Sequence, residues 1–96
     1  MSYKIRTKYT KPSAGVSLHT TPAGLTKLIN TMFAEGKITQ KPVESIDGLN
    51  YTFETIFANE EAYNEYNNQA AATENYNTRV DHCSTNSISH SVEVGV

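Results

Sequence analysis

The sequence predicts an α+β domain whose elements run β-α-β-β-α-β, and three observations carry that expectation. Residues 3–9, YKIRTKY, alternate strictly in polarity. Leu25, Leu28, Ile29, Met32 and Phe33 recur at helical spacing, and Asp47-Gly48 stands between two strand-like runs. A period of two marks a half-buried strand, a period near 3.6 an amphipathic helix, and Asp-Gly between alternating segments a tight hairpin.

Taken in order, the first run puts Tyr3, Ile5, Thr7 and Tyr9 on one face and Lys4, Arg6 and Lys8 on the other. The segment KPSAGVSLHT that follows has the Pro, Gly and Ser content of a loop. Thr20-Thr21-Pro22 is expected to open the first helix with a threonine cap and a proline near its first position. Gly36 is the expected stop. Strand character returns from Ile38 to Phe57, and Pro42, which cannot donate to a ladder, assigns the first strand of the hairpin to a sheet edge. On the second strand Leu49, Tyr51, Phe53, Thr55 and Phe57 share one face; Asn50, Thr52, Glu54 and Ile56 share the other. Asn59 suits the cap of a second helix, with Glu60 and Glu61 against the positive end of its dipole. Tyr63, Tyr66 and Ala70 continue an apolar stripe. Beyond Ala72 the segment ENYNTRV has low helix propensity, so a kink or short break is expected before Val80 and Cys83. The closing SISHSVEVGV alternates again, with Ile88, His90, Val92, Val94 and Val96 on one face. Two right-handed crossovers around a hairpin then give a four-stranded antiparallel sheet with both helices on one face, the ferredoxin-like arrangement.

Composition narrows the function. At 96 residues the chain is expected to be one domain, residues 1–96, since two would each be too small to build a core. Hydrophobic residues make up 38% and charged residues 19%, so much of the chain is uncharged and polar. Modest stability follows unless an oligomer buries more surface. A formal net charge of −2 supplies no field that would draw the chain to nucleic acid or to an acidic membrane. Cys83 is the one cysteine, so no internal disulfide forms and no oxidising compartment is required. MSYKIRTKYT lacks the apolar core of a signal peptide, and no apolar run reaches the ~18–20 residues of a membrane span. The expectation is a soluble, cytoplasmic protein.

The stretch FETIFANEEAYNEY, a strand ending in an aromatic, a short acidic turn and an aromatic-rich helix, resembles the dimeric α+β barrel superfamily. That group includes the antibiotic-biosynthesis-monooxygenase-like and stress-responsive barrel domains. The resemblance spans residues 38–70 in pattern, and the element order extends it to the whole chain. It implies two ferredoxin-like units packed by their open sheet faces and, in enzymatic members, a substrate held between sheet and helices. Many members carry tryptophan at the end of the third strand, where this chain has Phe57. The haem-degrading branch pairs a first-strand asparagine with a second-helix histidine, and neither stands at the matching place here, so no haem or other cofactor is expected. The opening YKIRTKYTKPSAGVSLHT also looks like small accessory proteins of tailed phages, which would place the protein in a host cytoplasm or a virion.

Among chemistry-bearing residues, His90 is the preferred acid–base candidate, because it lies between Ile88 and Val92 on an apolar face. Tyr9 and Tyr51 are its candidate hydroxyl partners. His19 reads as an exposed loop residue. Asp81-His82-Cys83 places ligand-type residues side by side, but consecutive residues rarely point at one metal, and no metal site is expected. Lys4, Arg6 and Lys8 form a cationic stripe with Thr52 and Glu54 beside it, and without aromatics interleaved on that face it reads as a protein interaction surface. The glycines are isolated, which excludes a phosphate-cradling loop. The leading expectation is a non-enzymatic interaction or assembly protein that forms a homodimer or larger oligomer through its sheet face or an edge, or engages a host or virion protein. The alternative is a cofactor-independent enzyme of the dimeric barrel class, with a pocket between sheet and helices. An RNA-binding module built on the basic stripe ranks third.

Overall fold

The alternating run at the N-terminus becomes the strand on which the sheet is built. In a computed structural model describing residues 2–96, β1 (Tyr3–Thr10) is followed by α1 (Ala23–Ala34), β2 (Ile38–Asp47), β3 (Asn50–Phe57), α2 (Glu60–Asn67), α3 (Ala70–Asn86) and β4 (Ser89–Val94). The sheet order is β2-β3-β1-β4, with every neighbouring pair antiparallel. Each crossover therefore skips one strand: α1 links β1 to β2 across β3, and the α2–α3 segment links β3 to β4 across β1. That is the ferredoxin-like pattern expected from the element order. No helix of the described residues is long and apolar enough to cross a membrane.

Local chemistry explains most boundaries. Gly36 has φ +78° and its N–H bonds to the Phe33 carbonyl at 3.1 Å, while the Lys37 N–H reaches back to Met32 at 2.9 Å. This is a Schellman closure, which a left-handed glycine makes without steric cost. Asn59 caps α2 through a 2.8 Å bond from the Ala62 N–H to its side-chain oxygen, with Glu60 and Glu61 in the first turn. Pro42 sits on edge strand β2, in a stretch where the register against β3 shifts between Ile38 and Val43. A residue without an N–H is tolerated at such a place.

Four local expectations are corrected. The N-cap of α1 is Pro22, and no side chain caps the helix; the Pro22 carbonyl accepts from Leu25 at 3.0 Å instead of a threonine hydroxyl capping the turn. The hairpin turn is one residue later than Asp47-Gly48: Asp47 pairs with Asn50, which leaves Gly48-Leu49 as the two-residue loop. Gly48 alone has positive φ, +61°, as a turn with glycine first requires. Phe33 ends the apolar stripe of α1 largely exposed, with the Lys41 ammonium 4.9 Å above its ring. Finally, the break in the second helical segment falls at Asn68-Gln69, before Ala70, and the low-propensity stretch ENYNTRV is helical throughout. Packing of Ala72 and Cys83 into the interior outweighs the weak propensity between them.

Among the described residues, the C-terminus of α3 is the one place where a residue other than glycine adopts a left-handed backbone: Ser87 has φ 57°. A Cβ there costs on the order of 1 kcal/mol relative to glycine. Ser87→Gly is therefore expected to raise the unfolding free energy by about 0.5–1 kcal/mol, read as a higher midpoint in urea denaturation with an unchanged slope.

Candidate functional site

The inner face of β1 carries Ile5, Thr7 and Tyr9 in turn. Ile5 belongs to one core cluster, with Met32, Ile38, Phe57 and Ala62; Tyr9 belongs to another, with Cys83 and Ile88. Thr7 stands between the two, and Thr55 lies opposite Ile5 on β3. These short side chains leave the space under the helices unfilled, and they line a cavity of about 420 Å3 between sheet and helices. Its walls are largely aromatic. Tyr9 and Phe53 meet edge to face with ring centres 5.7 Å apart, and Phe57 and Tyr66 meet at 5.3 Å. The aromatics of FETIFANEEAYNEY are thus core and pocket wall at once.

The helical side of the cavity is where polar groups enter. Ala72, Asn75, Tyr76 and Arg79 follow one another at helical spacing along one face of α3 and all line it. His19 comes from the loop between β1 and α1. Val16 and Leu18 of that loop pack against the Tyr9 cluster, and the ring of His82 donates from Nε2 to the Ser17 carbonyl at 2.7 Å. The loop is thereby folded onto α3, with His19 facing inward. Its Nε2 lies 3.2 Å from Asn75 Oδ1. With the amide oxygen accepting, Nε2 carries the proton and Nδ1 is left as an acceptor; that Nδ1 is buried and has no partner. Burial holds the His19 pKa below its ordinary value, opposed by the Asn75 hydrogen bond, so the ring is neutral at neutral pH.

Arg79 is the second unsatisfied group. Its Nε is buried without a partner, and its guanidinium carbon lies 5.3 Å from the centre of the Tyr76 ring. Among the described residues no carboxylate pairs with it. Burial raises the pKa of Tyr9, and raises that of Tyr66 to about 12, with Arg79 opposing the shift in each case. A pocket with two tyrosines held neutral, a neutral imidazole and one cationic fork can bind an anionic or hydrogen-bonding organic molecule.

The residues singled out in the sequence are distributed unevenly around this cavity. Tyr9 is 5% exposed and lines it. Tyr51 packs beside the Tyr9 cluster but outside the cavity lining, with Lys11 Nζ 4.4 Å above its ring. His90 pairs with Tyr9 across β1 and β4, yet it is exposed and does not line the cavity. The helices leave much of the inner side of edge strand β4 open: Val94 is 49% exposed, and Val92, which does reach the cavity lining, is 40% exposed. On the opposite sheet face Arg6 lies between Glu54 and Glu93, 2.7 Å and 3.4 Å away, and Lys8 reaches Glu93 at 3.3 Å. Lys4, Arg6, Lys8, Thr52 and Glu54 do form one surface, but its charge is largely answered within the sheet. Cys83 is buried in the Tyr9 cluster while the ring of the adjacent His82 turns to Ser17, so these neighbours serve different parts of the structure.

The fold recurs in two solved structures. Protein SO0527 from Shewanella oneidensis matches with a TM-score of 0.53 at 17% identity, over 96% of this chain and 87% of its own. Rv0793 from Mycobacterium tuberculosis matches with a TM-score of 0.54 at 11% identity, over 97% of this chain and 93% of its own. At such identities the likeness is one of fold. No protein-family model and no curated protein matches the sequence.

The buried phenol of Tyr66 gives the site a pH signature. Its folded pKa of about 12 lies above the value near 10 of an exposed tyrosine. The folded state then holds its proton more tightly, so this contribution to stability is complete below about pH 10 and is lost as pH rises toward about 12. Spectrophotometric titration of tyrosinate is expected to show late-titrating groups, and Tyr66→Phe should remove the latest of them and reduce the fall in stability over that alkaline range.

Proposed function

We propose that the protein binds an organic small molecule in the cavity between its sheet and its helices. The observation that carries this reading is the pairing of an apolar, aromatic-walled space of about 420 Å3 with two buried polar atoms, His19 Nδ1 and Arg79 Nε, that have no partner among the described residues. Ligand sites are typically clefts of a few hundred Å3 with a small number of convergent polar groups on an apolar lining, and buried polar atoms without partners are rare unless something external completes them. The resemblance to the dimeric α+β barrel superfamily supports the same reading, because enzymatic members of that superfamily hold their substrate between sheet and helices. If the bound molecule is also transformed by a cofactor-independent enzyme, the groups within reach are Tyr9, His19 and Arg79; His90 and Tyr51 stand outside the cavity.

Titration with toluene is expected to shift the NMR signals of Leu25, Ile29 and Phe53, which line the cavity. Thr55→Leu fills part of it and should abolish those shifts while raising stability by about 1 kcal/mol through added apolar burial. Unperturbed signals in the wild-type protein would refute a ligand pocket.

A second reading, assembly with another copy, rests on a separate observation. Val92 and Val94 on β4 are 40% and 49% exposed and Val96 just beyond it 50%, and among the described residues the outer edge of β4 pairs with no strand. An open edge with an apolar face is a template for pairing. The ion-paired outer sheet face offers less to a partner, and a host or virion protein in a phage setting would meet the same edge. Sedimentation of the wild type is expected to show a dimer or larger species, and Val94→Lys should shift it toward monomer. A monomeric wild type at high concentration would refute this second reading alone.

A further inference from the structure

The charges around the cavity specify what it binds, on the premise that it binds a small molecule at all. Arg79 is the one residue of formal charge in its lining, and no aspartate or glutamate is among the lining residues. Its Nε is shielded from water and unpaired. A buried N–H without an acceptor is unfavourable until a ligand oxygen accepts from it, and the rest of this guanidinium, next to the Tyr9 hydroxyl, adds the charge that favours an anionic acceptor. His19, kept neutral by burial, adds no second positive charge.

We infer that the cavity takes an organic monocarboxylate with a flat apolar body, its carboxylate on Arg79 and its body against Tyr9, Phe53, Phe57 and Tyr66. One guanidinium matches one carboxylate in charge and in the fork geometry of paired N–H···O bonds. A phosphate or other dianion would bring more charge than a single arginine answers, in a pocket whose lining holds no lysine. The body is defined by the walls. Tyr9 and Phe53 meet at 82° and Phe57 and Tyr66 at 58°, so the rings present edges and faces to a flat molecule. Tyr76 adds a cation–π contact, its ring centre 5.3 Å from the guanidinium carbon.

Benzoate and benzyl alcohol are the probes that separate this inference from its premise, because they share a ring and differ in the charged head. Binding is measured by titration calorimetry and NMR on the full chain at neutral pH. The wild-type protein is expected to bind benzoate roughly tenfold or more tighter than benzyl alcohol, as a charge-assisted hydrogen bond predicts. Arg79→Met keeps the aliphatic stem and should bring the two affinities together by weakening benzoate alone. Arg79→Lys should restore part of the preference. If the wild type binds the two alike, or binds benzyl alcohol better, the carboxylate assignment is overturned and the ligand pocket stands. If it binds neither, the pocket itself is refuted and the assignment falls with it. Should Arg79→Met lose both ligands through misfolding, the lysine variant decides: a retained preference for benzoate supports the charge, and a lost one overturns it.

Discussion

The pairing of β1 with both β3 and β4 is the interaction on which the rest of this structure depends. It places the N-terminal strand at the centre of the sheet, brings the two ends of the chain side by side, and sets Ile5, Thr7 and Tyr9 in a row under the helices. Those three residues decide how the interior is divided. An isoleucine and a tyrosine each belong to a separate cluster, and the shorter threonine stands between them. The backbone hydrogen bonds are indifferent to that choice, since any residue but proline would complete the ladder. The cavity is therefore written in side-chain volume on a strand whose pairing would survive its being filled.

The opposite face of β1 follows a different logic. Arg6 and Lys8 meet glutamates on both flanking strands, and Arg6 holds the Glu54 carboxyl below its usual pKa through their hydrogen bond. These are exposed pairs, which contribute little to stability, but they fix register: a slip of one residue would carry the charges inward and the aromatic row outward. Polar sheet face and aromatic interior are two consequences of a single alternation.

Much of this was legible in the sequence, because period and turn chemistry are local. The strands, both crossovers, the edge position of β2, the cap at Asn59 and the stop at Gly36 all follow from neighbours within a few residues. What escaped depends on where distant segments meet. His19 looked like a loop histidine because nothing local says that the loop folds back, although Val16 and Leu18 nearby were a hint that it packs on something. Arg79 sat in a stretch judged by its poor propensity, when the informative feature was its spacing from Ala72, Asn75 and Tyr76. His90 shows the reverse error. Alternation gave its face correctly, opposite Tyr9, but the alternation of an edge strand does not say whether a helix covers it. Periodicity assigns a side chain to a face; only the packing of the second layer turns that face into an interior.

The interruption at Asn68-Gln69 has a consequence for how the molecule yields under stress. The two helices it separates are rooted in different places, α2 through Ala62 in the Ile5 cluster and α3 through Cys83 in the Tyr9 cluster. The helical layer is thus anchored to the sheet at two separate places, while the sheet beneath is continuous from β2 to β4. Cooperativity then runs through the strands, and the layer above them can open as a subglobal unit without melting the ladder. How readily each helix lifts is then set by its own anchor, Ala62 for one and Cys83 for the other, and not by the strands beneath.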